Sequence, residues 1–204
     1  MSDPGKLITL EGMDGAGKSS HVQFIADAVG AHGRHVIVTR EPGGTDLAER
    51  LRKAILEEPM DPIAETLLLL AARADHVRRV IGPALDAGSW VVCDRFDDAT
   101  AAYQGAGKGV SAELIERLSE AAHPGLRPHR TFLFDCTYEV ASGRLAQSGK
   151  TLDRFERESR PFFERVRAAY LARARAEPAR IRIIDAGSDF ASVRRILGQE
   201  LASL

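Results

Sequence analysis

Short apolar runs alternate along the chain with longer stretches in which apolar residues recur every three or four positions. Each apolar run predicts a strand buried on both faces, and the five runs are 7–10, 35–39, 90–93, 131–134 and 181–184. The helical spacing predicts helices over 18–31, 47–56, 61–85, 111–122, 138–146, 157–176 and 189–202. Asp61 and Pro62 mark one helix start, as the cap and the first-turn residue.

This alternation predicts the α/β class, with a five-stranded parallel sheet between two layers of helices in a three-layer sandwich. The 204 residues suit one domain, and no repeat or linker divides them, so residues 1–204 are expected to fold as a single domain. Ligands of such sheets bind beyond the carboxyl ends of the strands. The residues that follow each strand are therefore the place to look for chemistry.

Composition narrows the class of protein. A formal net charge of −1 excludes a generally basic nucleic-acid binder, and 44% hydrophobic residues exclude a disordered chain. Residues 130–204 nevertheless carry +4, mostly as arginine, which leaves two interpretations: solvated helix faces or phosphate ligands. No apolar run is long enough to span a bilayer, and no signal-peptide pattern opens the chain. With only Cys93 and Cys136 present, a cytoplasmic setting is expected.

The residues after the first predicted strand match the pattern G-x-x-x-x-G-K-[ST] of a phosphate-binding loop (P-loop). Glycines let several backbone N–H groups point at one anion, and the following helix adds the positive end of its dipole. Lys18 is expected to reach the β- and γ-phosphates, and Ser19 to offer its hydroxyl to Mg²⁺. The predicted ATP-binding residues here are Gly12, Met13, Asp14, Gly15, Ala16, Gly17, Lys18, Ser19 and Ser20.

The type of P-loop protein follows partly by elimination. The chain contains no Asn, so the N-K-x-D element of a guanine-reading GTPase is absent. No strand ending in paired acids, as in motor ATPases, is visible. A small P-loop protein with room for one second substrate remains, and this favours a kinase of a small molecule.

Polar residues follow the next predicted strands as well. Asp94 and Arg95 come after the third strand, where the carboxylate can hold the metal shell and the guanidinium can bridge two phosphates. A simple salt-bridged pair is the alternative. Thr100, Tyr103 and Gln104 follow at helical spacing, which suits hydrogen bonding to a base or a sugar. The stiff turn at 41–44 is either a plain loop or part of the site.

Six motifs together are more specific: E-G-x-D-G-A-G-K-S, R-E-P-G-G-T, L-A-A-R, D-R-F, A-Y-Q-G and L-D-R-F-E, in this order. Over nearly its whole length the sequence resembles the thymidylate kinases, which phosphorylate dTMP to dTDP with ATP. The resemblance implies a P-loop nucleoside monophosphate kinase fold, ATP and dTMP as small-molecule partners, Mg²⁺ as the metal and a homodimer. Alanine- and leucine-rich faces of the predicted helices 61–85 and 111–122 are expected at the dimer interface.

The resemblance also implies roles for individual residues. Asp14 would bind the sugar 3′-hydroxyl, Arg95 the acceptor phosphate, and Arg73 a thymine carbonyl. Asp94 would help either the metal, together with Ser19, or Arg95. The remaining acceptor-side roles implied are base reading by Thr100 and Gln104, exclusion of a 2′-hydroxyl by Tyr103, and a pocket floor formed by Glu41 and Pro42.

The sequence departs from the family pattern at two positions. Leu69 stands where members often carry a stacking Phe, so base affinity is expected to rest more on hydrogen bonds. Gly15 stands where one subgroup carries an Arg, so cations in a mobile lid (residues 144–157) are expected to compensate. We expect Arg144 to pack on adenine and Lys150 and Arg154 to share the transferred phosphoryl group. The expected catalytic set is Asp14, Lys18, Arg95, Lys150 and Arg154.

Two alternatives stay open on sequence grounds. Leu69 keeps open another P-loop kinase acting on a different pyrimidine nucleotide. A regulatory NTP-binding protein without turnover is the other, although the intact chemical residues Asp14, Lys18, Asp94 and Arg95 speak against it. Phosphoryl transfer to an ionised phosphate needs no general base. His21, His32 and His35 are therefore expected to be structural or solvated.

Overall fold

The structure, a computed structural model, describes residues 5–31 and 33–204, so the expectation for His32 lies outside the described residues. One sheet contains β1 (Leu7–Gly12), β2 (Val36–Arg40), β3 (Trp90–Asp94), β4 (Arg130–Asp135) and β5 (Ile181–Asp185). The strand order is β2-β3-β1-β4-β5, and every neighbouring pair is parallel. The predicted five-stranded parallel sheet is confirmed, and β1 lies at its centre.

Helices connect the strands. They are α1 (Ser19–Gly30), α2 (Asp46–Glu57), α3 (Pro62–His76), α4 (Gly82–Asp86), α5 (Asp97–Thr100), α6 (Ala112–Ala122), α7 (Tyr138–Gln147), α8 (Arg160–Ala176) and α9 (Phe190–Leu201). Side chains alternate across the sheet. Ile8 and Leu10 of β1 join a large apolar cluster with α1, α8 and α9, whereas Leu7 joins a smaller cluster on the other face. The central strand is thus buried between two apolar layers.

The stretch 61–85, predicted as a single regular helix, is helical throughout but not regular. After α3, a π-helical segment (Val77–Ile81) leads directly into α4. Pro83 gives the physical reason, because it has no N–H to donate and its ring crowds the carbonyl four residues earlier. A wider turn relieves that conflict.

Two other boundaries differ from the sequence expectation. The region around 97–105 consists of the short α5 followed by a second π-helical segment, Ala101–Gly107. Helix α8 begins at Arg160 instead of residue 157. Asp153 explains the later start, because its carboxylate accepts hydrogen bonds from the backbone N–H groups of Phe155 and Glu156 and closes a turn there.

Both cysteines are buried free thiols, Cys93 in β3 and Cys136 just after β4. In the described part of the chain, no helix is long and apolar enough to cross a membrane.

Candidate active site

The P-loop connects β1 to α1 and depends on its glycines. Gly12, Gly15 and Gly17 have φ values of +132°, +81° and +87°, which side-chain-bearing residues rarely adopt. At Gly15 an added Cβ would also lie 2.4 Å from the backbone oxygen of Ala141 in α7. The loop thus packs directly against α7. In this conformation position 15 has no room for a side chain such as arginine.

Lys18 curls back over the P-loop. Its Nζ donates to the backbone oxygens of Gly12 and Met13, each at 2.9 Å, and the side chain is buried. Burial, followed by repulsion from Arg95, lowers the pKa of Lys18 to about 8. A phosphate in the loop would supply the anionic partner that stabilises this ammonium group.

Ser19 and Asp94 meet at the end of the P-loop, as their predicted metal role requires. Ser19 Oγ donates to Asp94 Oδ2 at 3.3 Å. Asp94 Oδ1 is buried and has no hydrogen-bond partner within residues 5–31 and 33–204. Hydroxyl, carboxylate and water oxygens are the ligands that Mg²⁺ prefers. The unpartnered oxygen beside a hydroxyl therefore fits the metal shell expected for a P-loop kinase.

Arg95 and Asp14 form the charged centre of the site. Arg95 Nη2 donates to Asp14 Oδ1 at 2.6 Å, and Tyr103 donates its hydroxyl to Asp14 Oδ2 at 2.9 Å. Burial opposes ionisation of Asp14, but attraction to Arg95 and Lys18 outweighs it, and the pKa falls to about 2. Arg95 also lies over the Tyr103 ring, 4.9 Å from its centroid, and donates to Tyr170 at 3.3 Å.

The backbone holds Arg95 in a strained conformation. Its φ is +71°, an unusual value for a residue with a side chain. Two contacts enforce it: Arg95 N donates to Leu10 O at 2.9 Å, and Phe96 N donates to Glu11 Oε1 at 2.7 Å. Strain of this kind persists only where the surroundings over-determine it, and it clusters at functional sites.

Arg73 is fixed by four hydrogen bonds. Its Nε donates to Glu41 Oε2 at 2.6 Å and its Nη1 to Asp97 Oδ1 at 3.0 Å. Its Nη2 donates to the Phe96 backbone oxygen at 2.9 Å and to Thr100 Oγ1 at 3.0 Å. A guanidinium has five N–H groups, so one on Nη1 has no partner among the described residues. A rigid arginine with a spare donor is suited to reading a carbonyl oxygen.

Glu41 is supported from behind by a buried histidine. His76 Nδ1 lies 2.9 Å from Glu41 Oε1, and His76 Nε2 lies 2.7 Å from Thr39 Oγ1. Glu41, His76 and Cys93 bring three possible metal ligands within 4.8 Å of one another. Because Glu41 is already paired with Arg73 and His76, this group forms a structural network that holds Arg73.

One pocket joins these residues. All nine residues that the sequence assigned to the acceptor substrate contribute to its wall: Asp14, Glu41, Pro42, Leu69, Arg73, Arg95, Thr100, Tyr103 and Gln104. Five further lining residues were not predicted: Arg52, Ile55, Phe96, Ala99 and Phe155. The predicted set therefore converges on one cavity at the carboxyl ends of β1, β2 and β3.

Phe155 supplies an aromatic ring that Leu69 does not. It extends from the predicted lid segment into the pocket wall and packs edge-on against Tyr103, with ring centroids 6.1 Å apart. Lys108 and Arg154 lie over its ring, each about 4.6 Å from the centroid. The L-D-R-F-E motif contains this residue, but nothing in the motif itself indicates which way the ring points.

Two buried carboxylates were also missed from the sequence. Glu11 accepts from Phe96 N and from the Tyr170 hydroxyl, and its burial raises its pKa to about 8. Glu65 lies behind Gln104 and is fully buried. A signal for Glu65 did exist, because 65, 69 and 73 are spaced by four and share one face of α3.

The expected lid cations are separated in this structure. Arg144 lies in the last turn of α7, and its Nη1 approaches the P-loop oxygen of Ala16 at 3.5 Å. Lys150 is half exposed and pairs with Glu156. Arg154 pairs with Glu65, behind the pocket residue Gln104. Neither Lys150 nor Arg154 donates a hydrogen bond to the described P-loop residues.

Comparisons of the sequence and of the structure with known proteins all found thymidylate kinases. Residues 10–196 match the family model described as thymidylate kinase. The thymidylate kinase of Bordetella petrii is 53% identical over 204 residues, covering 100% of this chain and 98% of that protein. That of Methylobacillus flagellatus is 52% identical, with 94% of each chain covered. A crystal structure of thymidylate kinase from Ehrlichia chaffeensis superposes with a TM-score of 0.79 at 30% identity, covering 98% of this chain and 99% of that one.

Proposed function

Because this chain belongs to the thymidylate kinase family, we propose that it transfers the γ-phosphoryl group of ATP to dTMP, giving dTDP and ADP. One observation supports this most strongly. The P-loop and a pocket lined by Asp14, Arg73, Arg95 and Gln104 lie side by side at the carboxyl ends of the strands. A donor site and an acceptor site of these chemistries are what the reaction needs.

The P-loop is proposed to hold the ATP phosphates. Its backbone N–H groups and the N-terminus of α1 attract the anion, and Lys18 neutralises charge on the β- and γ-oxygens. Arg144, whose guanidinium lies close to Ala16 and Gly17, is proposed to cover the adenine. Ser19 and Asp94 would hold Mg²⁺, which neutralises charge on the phosphate oxygens when bound.

The acceptor pocket is proposed to orient dTMP. Asp14 stays ionised and offers its carboxylate to the sugar hydroxyl, with Tyr103 closing the space that a 2′-hydroxyl would occupy. Arg95 binds the acceptor phosphate, and Arg73, Thr100 and Gln104 bind the base. The acceptor phosphate is already a nucleophile, so catalysis consists of positioning and charge neutralisation.

The lid is proposed to complete the donor side when both nucleotides are present. Lys150 follows Gly149, whose φ of +67° marks a bend in a stretch without helix or strand. We propose that Lys150 and Arg154 exchange their carboxylate partners for the transferred phosphoryl group. Closure would also exclude water from the reacting phosphates.

The proposal includes a homodimer in the cytoplasm. Leu47, Ile63 and Leu67 are large apolar residues exposed on α2 and α3, and Ile63 and Leu67 lie one turn apart. Such a face is suited to packing across a two-fold axis. Light scattering tests the dimer: Leu67→Arg is expected to shift the mass from that of two chains to that of one, and an unchanged mass would contradict this face.

The cytoplasmic location is proposed from the cysteines. The buried free thiols of Cys93 and Cys136 fit a reducing compartment.

The activity is tested by coupled ADP release with ATP, Mg²⁺ and one of dTMP, dUMP, dCMP, thymidine or no acceptor. We expect turnover that requires a nucleoside monophosphate and is highest with dTMP. Preference for another monophosphate would change the substrate. Equal ADP release with and without every acceptor would contradict the proposed kinase.

A further inference from the structure

Glu65 is a buried carboxylate to which the proposed reaction assigns no contact with either substrate. It lies on α3, its side chain has no exposed surface, and it is not part of the pocket wall. Its two oxygens have different partners. Gln104 Nε2 donates to Oε1 at 2.7 Å, whereas Lys108 Nζ donates to Oε2 at 2.7 Å and Arg154 also pairs with Oε2.

A carboxylate imposes a direction on the amide that contacts it. An ionised carboxylate only accepts hydrogen bonds, while an amide has a donating end and an accepting end. If the Gln104 amide turned over, its Oε1 would face Glu65 Oε1 and the hydrogen bond would become a repulsion. Both oxygens of an ionised Glu65 only accept, so a rotation of the carboxylate would present the same requirement to the amide. Glu65 therefore fixes the Gln104 amide in one of its two orientations.

The fixed orientation leaves the carbonyl of Gln104 for the pocket. Gln104 is buried but belongs to the pocket wall, and among the described residues no protein group donates a hydrogen bond to its Oε1. A ligand atom that donates a hydrogen bond satisfies this oxygen, and a ligand atom that carries a lone pair is repelled by it.

An accepting oxygen at this position distinguishes the pyrimidine bases by their ring nitrogen N3. Thymine and uracil carry a hydrogen on ring nitrogen N3, whereas the same nitrogen of cytosine is an acceptor. We propose that Glu65 is a positioning residue for base selection: by orienting the Gln104 amide, it favours thymine and uracil over cytosine in the acceptor pocket. The proposal rests on the proposed function, because it assumes that the base of a nucleoside monophosphate faces Gln104.

The test is the Glu65→Gln variant, measured with dTMP, dUMP and dCMP at saturating ATP. A glutamine at this position can donate or accept, so the Gln104 amide becomes free to turn. We expect the ratio of kcat/KM for dTMP to that for dCMP to fall at least tenfold, which is about 1.4 kcal/mol. The ratio for dTMP to dUMP should stay within twofold, because both bases carry the N3 hydrogen.

Lys108→Met is the matched control, because it removes a partner of Glu65 Oε2 and leaves the hydrogen bond between Gln104 and Glu65 Oε1 intact. It should keep the parent selectivity for dTMP over dCMP. Glu65→Gln with Lys108→Met is the second test variant. One negative and one positive charge are removed together, so the charge of the cluster equals that of the parent and folding is better protected. Its selectivity is compared with that of Lys108→Met alone.

Each outcome has a definite meaning. A folded Glu65→Gln or double variant that keeps the parent dTMP-to-dCMP ratio within twofold would overturn the proposal. An equal fall of kcat/KM for all three substrates would also overturn it, since this is the mark of a merely structural role. If neither variant folds, Glu65 is a structural residue and the assignment is wrong. A parent protein without dTMP turnover would contradict the proposed function, independently of any result at Glu65.

Discussion

The proposed acceptor pocket and the proposed lid adjoin each other, yet they are built in different ways. In the pocket the charged groups are paired with their neighbours: Arg73 makes four hydrogen bonds and is 3% exposed, and Arg95 joins Asp14 and Tyr103. In the lid the Lys150 side chain is 54% exposed and pairs with Glu156 of the same segment. Both regions supply cations, but Lys150 and Arg154 pair with carboxylates outside the pocket wall and would have to leave them to reach a phosphoryl group.

This difference indicates which charged groups are already organised in the folded protein and which must be organised when the substrates bind. Donors fixed during folding need no reorganisation when a substrate arrives, and this makes them effective at stabilising charge. The lid cations must first leave Glu156 and Glu65, so their contribution depends on a conformational step. The account therefore predicts large effects from changes in the pocket and smaller ones from changes in the lid.

The largest effect is expected from Arg95→Met, which removes the cation proposed to bind the acceptor phosphate and leaves Asp14 without its ion-pair partner. We expect kcat/KM for dTMP to fall about 10³-fold, roughly 4 kcal/mol. The measurement is steady-state kinetics, with urea unfolding to show that the variant folds. Arg79→Met, an exposed arginine of the Val77–Ile81 segment, is the control and should stay within twofold. If Arg95→Met kept more than a tenth of the parent activity, the predicted difference between pocket and lid residues would be wrong.

Arg73→Lys sharpens the comparison within the pocket. Lysine keeps the charge but cannot reproduce four hydrogen bonds in a planar fork. We expect the KM for dTMP to rise about 10- to 100-fold, with kcat and the KM for ATP within about threefold, as for a group that binds the base. A change in the KM for ATP instead would show that Arg73 does not belong to the acceptor side.

The lid cations should have smaller effects. Lys150→Ala and Arg154→Ala are each expected to lower kcat by more than threefold, about 0.6 kcal/mol of barrier, and by around tenfold at most. Arg160→Ala, at the start of α8 and paired on the surface with Glu139 and Glu164, is the matched cation outside the lid. It should leave kcat unchanged. Values within threefold for both lid variants would contradict a role of the lid in phosphoryl transfer.

The buried carboxylate of Glu11 gives a prediction about how the stability of the folded protein depends on pH. Its folded-state pKa of about 8 lies above the ordinary 4.5, so the folded protein keeps a proton that the unfolded chain releases. This stabilisation is complete below pH 4.5 and is lost as the pH rises to 8, by at most about 1.4 kcal/mol per pH unit.

The Glu11→Gln variant mimics the protonated form and should therefore flatten the fall in unfolding free energy between pH 5 and 8, as followed by urea titration. The control is Glu49→Gln. Arg40 holds the pKa of that surface carboxylate at about 2, so its contribution is lost only in acid, below pH 4.5. Parallel curves for the parent and Glu11→Gln at pH 5 to 8 would contradict the raised pKa.

The sheet and the P-loop could be predicted because their signals are local. Each strand is a continuous apolar run, and the Gly-Lys-Ser spacing around Lys18 fixes the loop between strand and helix. The order β2-β3-β1-β4-β5 then places the ends of β1, β2 and β3 side by side. This is why the residues assigned to the acceptor from separate motifs line one pocket.

The remaining features depend on contacts between distant parts of the chain. Phe155 and Arg154 reach the pocket from a turn whose direction no periodicity encodes, and Arg154 pairs with Glu65, 89 residues away. The π-helical segment Val77–Ile81 follows from the conflict of Pro83 with a helical pattern that otherwise continues. The buried Glu11 carboxylate accepts a hydrogen bond from Tyr170, a residue far away in the sequence.

Hydrogen exchange on the free protein, its dTMP complex and its complex with dTMP and a non-hydrolysable ATP analogue tests the central contrast most directly. The account predicts that backbone amides of Ala101–Gly107 exchange slowly in all three states. Amides of residues 148–157 should exchange fast in the first two states and slow only when both nucleotides are bound. Fast exchange of Ala101–Gly107 in the free protein, or slow exchange of the lid before the ATP analogue is added, would contradict a preformed acceptor pocket beneath a closing lid.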